Sequence, residues 1–306
     1  MVGYLKLCLK EDRVLDVARL QLLAELRRYG TMGAVALAMS YSTSAVSQQL
    51  GKLEIEAGVA LFERAGRGLR LTPAGERLAD EADAVLEALE RAESVLAVTP
   101  DDAGEVRLGV VPTLMWTAVP QLRTLLAAEH PSIRLSVSTF EPEEGVSRLL
   151  ARRLDIMVTD EYRGLPRKRQ SGLRREPLMR DAVTATLPRG VPADIDPREL
   201  DWVFEAQGSE AERWALSICR EQGVEPNVRF YTPDLALQRH LVLSGLAAAF
   251  LPSVMRSDGD EYLPVPGFPS DLERQLYAAV RPGSGERVAV RATVTALRST
   301  LNRLFA

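Results

Sequence analysis

The tightest constraint in the chain is the segment Ser42-Thr43-Ser44-Ala45-Val46-Ser47-Gln48-Gln49-Leu50-Gly51-Lys52-Leu53-Glu54. At about 100° per residue, Val46, Leu50 and Leu53 share one helix face, while Ser44, Gln48, Lys52 and Ile55 lie roughly opposite. That polar face carries hydroxyls, amides and an ammonium, where an ordinary surface helix more often carries Glu and Lys. A Gln side chain can pair with a base edge, a Lys reaches guanine or phosphate, and a Ser donates to base or backbone. The segment therefore reads as a helix for the major groove, with Thr43, Ser44, Ser47, Gln48 and Lys52 as its candidate contacts.

The flanks fit a helix-turn-helix. From Asp16 to Tyr29, Val17, Leu20, Leu23, Ala24 and Leu26 recur at helical spacing, and Gly30 can end the helix. A shorter helix, Thr31 to Met39, offers Met32, Val35, Ala36 and Met39 for burial, and Ser40-Tyr41-Ser42 supplies the turn. Downstream, two short runs around Ala65-Gly66-Arg67 read as a small wing with Arg64, Arg67 and Arg70 as its charge. Thr72-Pro73 then opens a new helix, with Thr as N-cap and Pro at a position whose N–H would be unpaired anyway. In it Leu78, Ala82, Val85, Leu89, Ala92 and Leu96 form a heptad seam. Pairing with a second copy is the expectation, because a winged helix has little surface to bury such a seam; packing on its own domain is the alternative.

Several of these pieces together resemble the N-terminal region of the LysR-type transcriptional regulators. They are Ser44-Ala45-Val46-Ser47-Gln48-Gln49-Leu50 with Leu53-Glu54, Gly58-Val59, Leu61-Phe62-Glu63-Arg64, and Leu71-Thr72-Pro73-Ala74-Gly75-Glu76. Gln48 stands where many members carry Arg and Tyr41 where a smaller aliphatic residue is common, so base preference is not carried over. The resemblance implies double-stranded DNA, a small-molecule effector, a second copy in a dimer or tetramer, and RNA polymerase as partners.

The formal charge is −4 over 306 residues, which by itself argues against nucleic acid, but its distribution decides the point. Residues 14–72 hold seven Arg or Lys against five Asp or Glu, whereas 73–96 hold two against seven, so the basic surface is local and the acidic helix is expected to face away from DNA. No apolar run approaches ~18 residues, and residues 1–13 lack the layout of a secretory signal, so a cytoplasmic protein without a membrane partner is expected. Residues 1–13 also precede the resemblance, leaving open whether they are a native extension. Cys8, Cys219, His130 and His240 have no ligand spacing, so neither metal nor cofactor is expected, and Cys219 reads as a packed core thiol.

After a polar hinge the pattern becomes alternating strands and helices. The expected organisation is an extension, 1–15; a winged helix-turn-helix, 16–72; a linker and dimerisation helix, 73–96; a hinge, 97–104; and an α/β effector domain, 105–306. That domain, two-lobed and periplasmic-binding-protein-like, is expected to place 105–180 and 281–306 in lobe I and 181–280 in lobe II. Its strands are expected to form parallel βαβ units, with Thr113 to Glu129 as one helix and the basic stretch between Tyr162 and Glu176 as a solvated loop. The resemblance extends to this domain through Leu108-Gly109-Val110-Val111-Pro112-Thr113, Leu154-Asp155-Ile156-Met157-Val158 and Gly245 to Pro252.

Ligands of parallel sheets sit beyond the carboxyl ends of strands. That rule nominates Pro112, Thr113, Leu114, Phe140, Glu141, Thr159, Asp160, Glu205, Gly208, Ser209, Thr232 and Asp234. Thr113 and Ser209 stand near helix starts, where free N–H groups favour a carboxylate; simple helix capping is the alternative there. Hydroxyls beside the acids Glu141, Asp160, Glu205 and Asp234 suit an amino-acid-like effector. Trp116, Trp202 and Trp214 are expected to be packing residues, with the cleft as the alternative for Trp116 alone. The expected function is a DNA-binding transcriptional regulator modulated by a cleft ligand; the alternative is a solute-binding protein of transport. No GxSxG, P-loop or GxGxxG motif and no paired His and carboxylate suggests an enzyme.

Overall fold

In the computed structural model, residues that cap helices set the ends of the first elements. Asp16 accepts from Arg19 N at 3.1 Å and starts α1 (Val17–Tyr29), which ends at Gly30 with φ 71°. Ser42 accepts from Ala45 N and starts α3 (Thr43–Ala57), after the short α2 (Met32–Met39). The structure describes residues 14–305 except 40, 66–67, 97–103, 141, 167–169, 171 and 257–261. It divides into two units, residues 1–96 and 97–306.

In the first unit Val46, Leu50 and Leu53 of α3 are fully buried in one core with Leu23, Ala24, Val35 and Ala36. Each such side chain contributes about 1.5–3 kcal/mol on burial, which fixes the face that α3 turns outward. The carboxylate of Glu54 accepts from Leu61 N at 2.8 Å and Phe62 N at 3.3 Å, tying α3 to the antiparallel wing of β1 (Phe62–Ala65) and β2 (Gly68–Leu71). Thr72 Oγ1 accepts from Gly75 N at 3.1 Å and starts α4 (Pro73–Leu96). A Cβ at position 75 would stand 2.0 Å from Leu61 O, so only glycine lets α4 pass this close to the wing.

Helix α4 presents two stripes. Ala79, Ala82 and Leu86 are buried, whereas Val85 and Leu89 are 43% exposed and Ala92 is exposed. Ala82 is therefore corrected: it is packed in its own unit's core and cannot serve a partner, and Leu78 is half-buried on that same core. The Leu96 side chain lies outside the described residues. Arg27 pairs with Asp80 and, at 2.7 Å, with Asp83, and Arg28 pairs with Asp83 and the fully buried Glu25. These two arginines, counted in the basic excess of residues 14–72, are clamps between α1 and α4.

The second unit begins with β3 (Glu105–Val110), α5 (Pro112–Thr117), α6 (Val119–Glu129), β4 (Arg134–Thr139), α7 (Pro142–Leu150), β5 (Ile156–Tyr162) and β6 (Arg174–Thr186). It continues with β7 (Asp201–Phe204), α8 (Glu210–Glu221), β8 (Asn227–Tyr231), α9 (Leu235–Leu243), β9 (Ala249–Pro252), β10 (Glu273–Val280), α10 (Pro282–Gly285) and α11 (Val288–Phe305). The single helix expected over 113–129 is broken at Ala118, because Pro120 has no N–H to continue the ladder and instead opens α6.

The expected parallel sheet is mixed. Its order is β4-β3-β5-β10-β6-β9; β3 runs parallel to β4 and β5, whereas β10 is antiparallel to both β5 and β6, and β9 is antiparallel to β6. Strands β6 and β10 pass side by side from one core to the other. Leu178, Leu276, Ala278 and Val280 belong to the first core, which α6 and α11 cover, while Val183, Ala185 and Leu272 belong to the second, built around Trp202, Trp214 and Phe250. Leu276, Ala278 and Val280 of β10 thus pack in the first core, on the other side of the expected lobe boundary at residue 280. The basic stretch ends in strand rather than loop: Arg174 pairs with Glu176 at 3.2 Å, and Arg175 pairs with Glu161 at 2.7 Å and lies 4.1 Å above the Tyr277 ring.

Candidate functional site

On α3 the buried triad leaves Thr43, Ser44, Ser47, Gln48 and Lys52 all exposed. Ser44 Oγ lies 3.0 Å from Ser42 Oγ, so the first turn carries a hydroxyl pair beside the N-terminal amides. Of the two consecutive glutamines only Gln48 is exposed; Gln49 is half-buried and accepts from Arg19 at 3.2 Å, while Arg19 also grips Glu56 at 3.0 Å. Arg70 on the wing pairs with Glu63 at 2.5 Å, both exposed. Arg64 lies on β1 with its side chain outside the described residues, and Arg67 is outside them altogether.

The second unit holds a cleft between its lobes, with about 60 Å³ of room. Val111 and Thr113 reach it after β3, Phe140 after β4, and Asp160 and Tyr162 from the end of β5. Glu205, Ser209 and Glu210 enter between β7 and α8, Pro233 and Leu235 before α9, and Arg274 from β10. Phe140 is seated by Gly109, where a Cβ would stand 1.8 Å from its ring.

Arg274 is 1% exposed and ion-pairs with Asp160 and Asp181 at 2.9 Å each. Burial opposes its charge, but Asp181 and Asp160 outweigh that and raise its pKa above the usual arginine value. Asp181 also accepts from Ser253 Oγ at 2.7 Å and Val254 N at 3.3 Å, so the ion-paired group joins β5, β6, β10 and the turn after β9. Tyr162 stacks on Trp214 with ring centres 4.5 Å apart and donates to Glu205 at 3.4 Å. Burial first, then the nearby Glu205 and Asp160, raise the Tyr162 pKa well above the usual phenol value, so it remains a donor.

Of the residues nominated by the strand-end rule, Thr113, Asp160, Glu205 and Ser209 come together here, with Pro112 and Phe140. Leu114 does not, being buried in the first lobe's core. Thr159 is buried, and alternation along β5 turns it away from the face that carries Asp160 and Tyr162. Asp234 is exposed and caps α9, accepting from Ala236 N at 2.9 Å. Glu141 lies outside the described residues. Ser209 lines the cleft but is also a cap, accepting from Glu212 N at 3.0 Å while the Glu212 carboxylate accepts from Gly208 N. Trp116 is 69% exposed and does not line the cleft. Strand-end reasoning missed Tyr162, Glu210 and Arg274. Arg274 arrives on an antiparallel strand from 114 residues beyond Asp160, a pairing that spacing in the sequence does not signal.

Comparison with known proteins decides the family. Residues 17–76 match the bacterial regulatory helix-turn-helix proteins of the lysR family, and residues 100–302 match the LysR substrate binding domain. The chain belongs to the LysR family. This LysR-family protein is a DNA-binding transcriptional regulator with an effector-binding domain, modulated by a small molecule, and the match over 17–76 separates it from a transport solute-binding protein. The HTH-type transcriptional regulator YofA of Bacillus velezensis is 32% identical over 239 residues, covering 76% of this chain and 80% of its own length. A probable hydrogen peroxide-inducible genes activator of Streptomyces viridosporus is 28% identical over 316 residues, 96% and 97% of the two chains. Full-length OxyR from Pseudomonas aeruginosa shares the fold with a TM-score of 0.63 at 20% identity over 94% of this chain and 95% of that one. No described helix of this LysR-family regulator is long and apolar enough to cross a membrane.

Proposed function

We propose that α3 of this LysR-family regulator reads operator bases through Gln48 and Lys52, supported by Thr43, Ser44 and Ser47, while Arg64, Arg67 and Arg70 of the wing hold phosphates. What supports this reading is a helix with Val46, Leu50 and Leu53 fully buried and its hydroxyl, amide and ammonium groups exposed. Two copies pair through the exposed stripe Val85, Leu89 and Ala92 of α4, continued towards Leu96, and a tetramer is built from such pairs. An effector against Thr113, Asp160, Glu205 and Ser209 changes how the paired copies are arranged on DNA, and so how they meet RNA polymerase. The protein works in the cytoplasm and turns over no substrate. The effector is a small amino-acid-like metabolite, carrying an anionic group together with a cationic or hydroxylated one.

A peroxide response, as the name of the Streptomyces viridosporus relative would suggest, finds no reactive thiol at Cys219. That thiol is fully buried in the aromatic core, and burial, with Glu225 adding to it, pushes its pKa up to about 12. Cys8 lies outside the described residues.

The test begins with mass spectrometry of whatever small molecule co-purifies, followed by calorimetry with Thr113→Val. That variant keeps the shape and removes the hydroxyl, and should weaken binding by about 0.5–1.5 kcal/mol, the net worth of one hydrogen bond. A ligand bound as tightly by Thr113→Val as by the parent removes Thr113 from the site.

A further inference from the structure

Helix α1 is fastened at both ends, at one to the helix offered to DNA and at the other to the helix offered to a second copy. Near its N-terminus Arg19 donates to Glu56 at 3.0 Å and to Gln49 at 3.2 Å, both on α3. Near its C-terminus Arg27 pairs with Asp80 and, at 2.7 Å, with Asp83, and Arg28 also pairs with Asp83. Both acids stand on α4, one turn apart. Arg28 is braced in turn by Glu25, which is fully buried on α1.

Stability alone does not account for these pairs. Arg27 is 25% and Asp83 31% exposed, a setting in which an ion pair adds little to the free energy of folding. The apolar core of Leu23, Ala24, Ala79 and Ala82 already holds α4 against α1. Ala79 and Ala82 are the fully buried α4 side chains of that core, and methyl groups bring helices close without interlocking as longer ridges do in grooves. Guanidinium groups directed at two acids a turn apart are what fix the tilt and the slide of one helix on the other.

A lever follows from this packing, because α1 packs on both α3 and α4. Packed helix axes lie about 8–10 Å apart, which places α3 about 16–20 Å from the α4 axis across α1. A tilt of α1 on α4 by about 10° would move the recognition helix by about 3 Å, close to the ~3.4 Å rise of one base pair.

The geometry points to Arg27 and Arg28, held by Asp80 and Asp83, as positioning residues that fix the tilt of the DNA-binding unit on α4. They thereby set the spacing of operator half-sites that a pair accepts, while base reading stays with Gln48 and Lys52. This rests on the reading that copies pair through α4 and read DNA through α3.

Fluorescence anisotropy with the full chain at constant salt tests it. The reference duplex is one that the parent selects from a random pool; derived duplexes have one base pair added or removed between half-sites, or one base pair changed inside a half-site. The parent should lose about tenfold or more in affinity on either spacing change. Asp80→Asn with Asp83→Asn should cut that loss to about threefold or less and leave the loss from the base change at the parent's value. Glu81→Gln with Glu87→Gln removes the same charge from α4 outside the clamp, Glu87 pairing instead with Arg91, and should keep both losses. A clamp variant that melts and dimerises like the parent, yet keeps the parent's spacing loss, would overturn the positioning role and leave paired reading intact. Equal flattening of the spacing and base losses would also overturn it, because the clamp would then hold the fold rather than the tilt. A parent indifferent to spacing would overturn both readings. If the double variant melts far below the parent, Asp80→Asn alone, at a 73% exposed carboxylate, decides: a spacing loss below the parent's supports the role, and one equal to it overturns the role.

Discussion

Helix α3 and the interlobe cleft are both faces prepared for a partner, yet they are built in opposite ways. On α3 the candidate groups lie within ten residues of one helix, and its period alone sorts Val46, Leu50 and Leu53 inward from Gln48 and Lys52 outward. Structure and recognition there are carried by different side chains. In the cleft they are carried by the same ones: Arg274 closes an ion-paired group across β5, β6 and β10 and also lines the ligand's wall. The DNA face is therefore open to substitution without loss of fold, and the cleft floor is not.

Replacing Arg274 by Ala should break that comparison open most strongly. It leaves Asp160 and Asp181 buried without their cation, which costs about 3–5 kcal/mol. Urea denaturation of Arg274→Ala should show this as a lower midpoint with an unchanged slope, and a loss under about 1 kcal/mol would mean that water solvates the two acids and the group is not structural.

The proposed pairing stripe on α4 comes next. Val85→Asp with Leu89→Asp places charge in an exposed apolar stripe, so the chain should still fold while light scattering reports monomers. Operator affinity should fall about a hundredfold or more as the second site's effective concentration is lost. A double variant that stays dimeric would show that other surfaces hold the dimer.

The smallest effect is the most selective. Gln48→Ala should leave stability within about 0.5 kcal/mol of the parent, because the side chain is exposed. It should still reduce discrimination among operator bases by about 1–3 kcal/mol. Equal losses on operator and random DNA would mean that Gln48 touches backbone only, and the contrast with the cleft would then rest on stability alone.

Legibility follows the same division. Asp16, Gly30, Ser42 and Thr72 cap where local patterns place them, because a cap is settled within about four residues of chain. Pro120 was equally visible in the sequence, and its missing N–H explains why one expected helix became α5 and α6. The α4 seam was half legible: the heptad spacing is real, but the alternative of packing on its own domain holds for Ala82, which period alone cannot separate from Val85. In the cleft, Thr113, Asp160, Glu205 and Ser209 followed from the strand-end rule. The same rule also named Leu114, Thr159 and Asp234, which face the core, the far side of the sheet and solvent.

By itself, then, the sequence determined the winged helix-turn-helix, its buried triad and its outward polar face, because hydrophobic period and caps act over one or two turns. Only the tertiary structure decided that β6 and β10 run antiparallel between two cores, and that Arg274 meets Asp160 and Asp181 beneath the cleft. The physical reason is distance along the chain: the ion pairs span 93 and 114 residues. A carboxylate seeking a buried cation is specified by which strands become neighbours, and no local pattern carries that information.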